Sequence, residues 1–189
     1  TLFPYTTLFR SFLLWRPATA MLLFNTLTLV VCVVALSTLI ALPLALLVTR
    51  YRLPFAGLFS VLFTLPLAIP GYVMAYALIG LSGYYGPLNQ FFGLRLPRLE
   101  GLVGATLALA LYVFPYLFLN LRAALSSLDP ALEESARSLG RTPAAIFRHV
   151  ILPHLKPAFL SGWLVIALYT VGDSGALALL RSDVFSSAL

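Results

Sequence analysis

Apolar residues run through this chain in long blocks that no charge interrupts. No Asp, Glu, Lys or Arg falls between Arg16 and Arg50, within residues 53–94, or between Glu100 and Arg122. A bilayer core of about 30 Å takes about 20 helical residues to cross. The pattern therefore predicts membrane spans at 21–48, 57–81 and 102–121. A fourth, at 158–173, is barely long enough, with sixteen uncharged residues between Lys156 and Asp173. Polar residues gather instead in one island at 127–157, SLDPALEESARSLGRTPAAIFRHVILPHLKP, which holds Asp129, Glu133, Glu134, Arg137, Arg141, Arg148, Lys156 and both histidines. Such an island between apolar spans has to lie in water at a membrane face.

The island predicts two short helices about a sharp turn. Asp129 is an N-cap with Pro130 at the first helical position. Glu133 and Glu134 then lie near the positive end of the helix dipole. The helix runs to about Leu139, and Gly140 is suited to a left-handed stop. Thr142-Pro143 repeats the capped start, and a second helix is expected to run to about Ile151, limited by Pro153. Leu132, Ala136 and Leu139 share one face by helical spacing, and that face suits a groove on a partner.

Breaks in the apolar blocks carry the remaining signals. Asn25, Thr26 and Thr28 open the first span, where they suit either bonds to a neighbouring helix or an ordinary interfacial position, and Pro43 is a candidate kink near its inner end. The second span contains TLPLAIPGY, whose Pro66 and Pro70 interrupt the backbone ladder. In lipid such a break is tolerated only where it is buried or faces a cavity. Pro66, Pro70, Gly71, Tyr72 and Tyr76 are therefore candidates for lining a pathway, or for a kink set by packing. Residues 82–101 form a Gly/Pro-rich aromatic stretch, expected to be an outer loop with a short interfacial helix near 88–92. Asp173, between Gly172 and Gly175, marks the end or a break of the fourth helix. It is read either as a pathway residue or as a helix-end carboxylate in an aqueous vestibule.

Composition agrees with the pattern. The chain has 189 residues, 61% hydrophobic and 10% charged, with mean hydropathy +0.99; soluble domains average about 25% charged. The net charge of +6 reflects the Lys/Arg excess of cytoplasmic loops and gives no nucleic-acid surface. With the island in the cytoplasm, positions 50, 52, 122, 137, 141, 148 and 156 carry inside Lys/Arg and 16, 95, 98 and 181 carry outside ones. Cys32 lies in an apolar span and is read as a packing residue. Residues 1–11 lack the features of a signal peptide. They resemble translated adapter DNA and are given no functional weight, and the chain reads as a fragment at both ends.

Glu134-Ser135-Ala136, three residues, Gly140, nine residues, Val150, one residue, Leu152-Pro153 resembles the EAA motif of bacterial ABC importer permeases. Ser135 and Val150 replace the family's Ala and Ile. The resemblance implies an all-α, multi-pass transmembrane helical bundle, a type I ABC importer permease (MetI-like), over residues 12–189, with a cytoplasmic EAA loop at 122–157. It further implies that Leu132, Glu133, Glu134, Ser135, Ala136, Leu139, Gly140, Leu152 and Pro153 couple the chain to an ATP-binding-cassette ATPase. The stretches LPLAIPGYVMAYALIG, GPLNQFFGL, LYVFPYLFLNLRAAL and ALYTVGDSGALALLRSDVFSSAL are similar to the first half of ferric-iron transport permeases. That family usually has Phe where Ser174 stands. Thiamine, phosphonate and polyamine permeases are also similar. The implied partners are the ATPase subunits, a periplasmic or lipoprotein substrate-binding protein, a second permease half (fused or separate) and membrane lipid, in a bacterial inner membrane.

No cofactor or metal site is expected. His149 and His154 are read as surface residues, and Tyr72, Tyr76, Tyr84 and Tyr85 as packing or interfacial residues rather than iron ligands. No catalytic motif occurs, so the chain is not expected to be an enzyme. An ion-gradient-driven carrier would need paired charges inside its spans, and the first three have none. A membrane scaffold that transports nothing is disfavoured by the EAA spacing.

Overall fold

The structure, a computed structural model, describes residues 17–51, 53–82, 89–90, 93, 99 and 101–173. Every regular element among them is helical. In chain order these are α1 (Pro17–Arg50), α2 (Ala56–Thr64), a 3-10 turn (Leu65–Ala68), α3 (Gly71–Leu81), α4 (Gly101–Ser127), α5 (Pro130–Ser138), α6 (Pro143–Ile146), a π-turn (Phe147–Ile151) and α7 (Leu152–Gly172). Met21–Arg50, Gly101–Ser127 and Pro143–Gly172 are each long and apolar enough to cross a membrane alone. The leader at 1–11, the aromatic residues Tyr84, Tyr85, Phe91 and Phe92, and the chain after Asp173 lie outside the described residues.

The expected second span is not one helix. Pro66 is the second residue of the 3-10 turn, which Ile69 N–H closes onto Pro66 O (3.1 Å). Ile69 is then extended (φ −99°, ψ 122°), as the residue before a proline tends to be. Pro70 has no N–H to rejoin the ladder, and the helix restarts at Gly71. Each arm is shorter than the roughly 20 residues a crossing needs, so the described residues hold three single-helix spans, or four if the two arms act together.

The second difference lies at Pro153. The island's second helix was expected to end there, yet α6 continues through the π-turn into α7. Leu152 N–H reaches back five residues to Phe147 O. This wider turn moves the preceding carbonyls away from the proline ring and absorbs the missing donor. At α1, the hydroxyls of Thr26 and Thr28 donate to Leu22 O and Phe24 O of their own helix.

The residues group into two compact units. Among the described residues, one comprises 17–33, those within 71–109, and 169–173; the other comprises those within 34–70 and 110–168. The first buries Leu29, Val33 and Leu109 together with the small Ala75, Ala105 and Ala108, and Ser82 Oγ accepts from Leu99 N–H at 3.3 Å. The second has the larger core, which includes Val113, Leu117, Phe118, Leu121, Leu125, Leu155 and Ile166, all at most 1% exposed. Phe63 meets Phe118 edge-on with ring centroids 5.6 Å apart. Trp163 Nε1 donates to Thr38 Oγ1 (2.9 Å), which itself donates to Val34 O (2.7 Å). Neither polar group is left bare in an apolar setting, where such bonds tie helices together.

Gly162 sets how closely α7 approaches α4. A Cβ there would lie 2.5 Å from Leu117 Cδ1 and 3.3 Å from Leu117 Cα. The first contact yields by side-chain rotation, but the second is backbone. Gly162→Val is therefore expected to destabilise this unit by about 1–3 kcal/mol through overpacking. Thermal unfolding of the detergent-solubilised protein checks this, with Ala167→Val on the same helix as the control.

Candidate functional site: a capped elbow at the end of the first span

The island folds into the elbow formed by α5 and α6. Asp129 caps α5, its Oδ1 accepting from Ala131 N–H at 2.9 Å. At the other end, Gly140 N–H donates to Arg137 O (2.9 Å) and Arg141 N–H to Ala136 O (3.1 Å). That pair of bonds is the Schellman arrangement, and it needs the left-handed Gly140 (φ 73°). Thr142 Oγ1 then caps α6 by accepting from Ala145 N–H at 3.3 Å. The chain turns within Leu139–Thr142 because both flanking helix ends are closed by their own residues.

The two faces of α5 differ sharply. Glu134 and Ser135 are exposed, as are Leu132 and Leu139, the latter at 82%. Ala136 is half-buried. Two large apolar side chains left in solvent beside a carboxylate form a surface suited to a partner. Glu133 departs from this set. It was expected to join the coupling surface, but it is 7% exposed and turns inward. Glu133 Oε1 lies 2.5 Å from Arg50 Nη2, and its Oε2 lies 3.6 Å from Arg137 Nη2. The Arg50 contact is an ion pair without hydrogen-bond alignment, and Arg50 Nε also has no hydrogen-bond partner among the described residues. Arg50 is the last residue of α1, so the elbow and this end of α1 share one face of the membrane. No spacing rule could have paired residues 50 and 133. The available signal was only that Arg50 is the first charge after a long apolar run.

A cavity of about 370 Å³ lies beside the ion pair. Leu152 and Pro153 follow at the start of α7, half-buried and exposed respectively. His149 and His154 are exposed, and His149 Nδ1 lies 2.9 Å from Ala145 O. No group of three or more metal-ligating side chains occurs among the described residues. The pathway candidates lie elsewhere in the chain. Pro66 and Gly71 are half-buried, Pro70 is exposed, and Tyr72 and Tyr76 are 56% and 71% exposed. Asp173 closes the last turn of α7 through its N–H to Tyr169 O at 3.0 Å.

A multi-pass helical membrane bundle carrying such an elbow is the architecture of an ABC transporter permease. The chain belongs to the family of binding-protein-dependent transport system inner membrane components, whose model matches residues 38–187. Among its relatives, the Fe(3+)-transport system permease protein FbpB 2 of Haemophilus influenzae is 36% identical over 177 residues, 94% of this chain and 32% of that protein. The sulfate transport system permease protein CysT of Salmonella typhimurium is 31% identical over 144 residues, 75% of this chain and 51% of that protein. This chain thus spans about a third of the first and half of the second. A chain in a crystal structure of an amino acid ABC transporter with histidines shares the fold, with TM-score 0.64 and 23% identity, covering 95% of this chain and 79% of that one.

Gly140→Ala is expected to loosen the elbow, because a left-handed backbone costs a residue with Cβ about 1–2 kcal/mol. Amide hydrogen exchange should show faster exchange confined to residues 130–146, with α4 unchanged.

Proposed function

We propose that this chain is part of the membrane pathway of an ATP-driven, binding-protein-dependent importer and does no chemistry itself. ATP is hydrolysed by separate ATP-binding-cassette subunits, a soluble receptor delivers the substrate, and a second permease half completes the pathway. The observation that carries this reading is the elbow, where the Glu134–Gly140 spacing falls on a capped helix with Leu132, Glu134, Ser135 and Leu139 directed outward. Leu132, Glu134, Ser135, Ala136, Leu139 and Gly140 form the docking element, with Leu152 and Pro153 setting its join to α7. The elbow faces the cytoplasm, as the Lys/Arg bias of the loops requires.

Ferric iron is the proposed substrate, supported by the 36% identity to the Haemophilus influenzae iron permease across 94% of this chain. Sulfate is the second reading, favoured by the 31% identity to the Salmonella typhimurium sulfate permease. The helix break at Ile69–Pro70 with Tyr72 and Tyr76, and Asp173 at the end of α7, are the proposed pathway positions.

Glu134→Lys places a like charge where a cation-rich cleft would meet the carboxylate. Expected outcomes are normal membrane insertion, loss of co-purification with the ATPase, and loss of uptake. Unchanged co-purification would overturn the docking role. Uptake assays with radiolabelled ferric iron and radiolabelled sulfate decide the substrate. Uptake that survives removal of the ATPase and collapses with the ion gradient would instead make the chain a secondary carrier.

A further inference from the structure

Docking leaves the one buried charge of the elbow, Glu133, unused. Glu133 and Glu134 are neighbours, about 100° apart around α5 at 3.6 residues per turn, so one faces outward and the other inward. Glu133 is buried between two arginines that belong to different elements. Arg50 ends α1, a continuous helix from Pro17. Arg137 sits one turn further along α5 itself. A buried carboxylate is costly once its counter-charge is removed. Here the counter-charge is supplied twice, once from the membrane helix and once from the helix that carries the carboxylate.

Two observations make the Arg50 contact one that can open. It lacks hydrogen-bond alignment, and Arg50 Nη2 and Nε and Glu133 Oε1 have no hydrogen-bond partner among the described residues. It therefore lacks the two-pronged geometry that makes an arginine–carboxylate pair rigid. The neighbouring cavity, lined by Arg50, Glu133, Arg137, Ile146, Phe147 and Ile151, leaves space for both arginines to move. If Glu133 parts from Arg50, Arg137 travels with it and keeps the carboxylate compensated.

We propose that Glu133 and Arg50 are positioning residues forming a releasable link through which displacement of the elbow reaches α1. This rests on the elbow being the docking element. Force applied to the outer face of α5 moves the backbone that also carries Glu133, and the ion pair passes that movement to the end of α1. Arg137 lowers the cost of release, so the link opens and re-forms in each cycle.

The test uses the complete importer, with ATPase and receptor, in proteoliposomes supplied with ferric iron and, in parallel, sulfate. The readout is substrate carried per ATP hydrolysed. Glu133→Gln and Arg50→Gln are each expected to lower that ratio about fivefold or more, the lower range of coupling between sites. The double variant should be no worse than either single, because both remove one interaction. A purely structural role would reduce assembly or thermal stability and leave the ratio unchanged. A wild-type ratio in Glu133→Gln, or single effects that multiply in the double variant, overturns the proposal. A second measurement stands apart from these variants. Cysteines at positions 50 and 133, in a Cys32→Ala background, should arrest transport when cross-linked and release it on reduction; transport at the uncross-linked rate overturns the link. Failure of the docking reading shows separately, as intact ATPase co-purification in Glu134→Lys.

Discussion

Inside a membrane every backbone N–H and C=O must find its partner within the protein. This chain meets that demand with thirteen prolines, each lacking a donor. Their placement shapes the fold. Pro17, Pro130 and Pro143 open helices, where the donor would have no partner in any case. Pro66 takes the second position of a 3-10 turn. Pro70 falls at a true break, and Pro153 is reached through a π-turn that lets the helix continue. The same residue type thus ends one helix and is absorbed by another. The difference is that Ile69 becomes extended, whereas Leu152 keeps a helical backbone and bonds one residue further back.

That contrast explains what was legible in the sequence. Long charge-free blocks located α1 and α4, because their only requirement is length and apolarity. The elbow was legible too, since Asp129-Pro130, Gly140 and Thr142-Pro143 encode their geometry locally. The break in the second apolar block was visible as a proline pair, but not the point at which the helix would fail. The continuation through Pro153 was hidden, because a π-turn depends on six residues sharing a register shift and leaves no composition signal. The inward turn of Glu133 was hidden for another reason. Glu133 and Glu134 are chemically identical, and only a partner 83 positions away in sequence, Arg50 to Glu133, tells them apart.

Choice of arginine at position 50 fits this arrangement. A buried lysine loses its charge readily, whereas a guanidinium stays protonated and spreads its charge over a plane. The contact with Glu133 is made through one Nη of that plane, and the remaining donors stay available as the geometry changes.

On the proposed docking role, the elbow has to be ordered before it meets a partner. α5 has nine residues, fewer than the roughly 12–15 an isolated helix needs to be even marginally stable in water. Its order comes from both ends and one side. Asp129 and the Gly140 turn close the termini, Leu128 is buried just ahead of it, and Glu133 holds the inner face to α1. The outer face is therefore presented with its backbone already fixed, so less ordering entropy is lost on docking. On the proposed docking role, the inward carboxylate and the outward one would serve a single requirement: a short helix can transmit force only if the side away from its partner is fastened to something that moves.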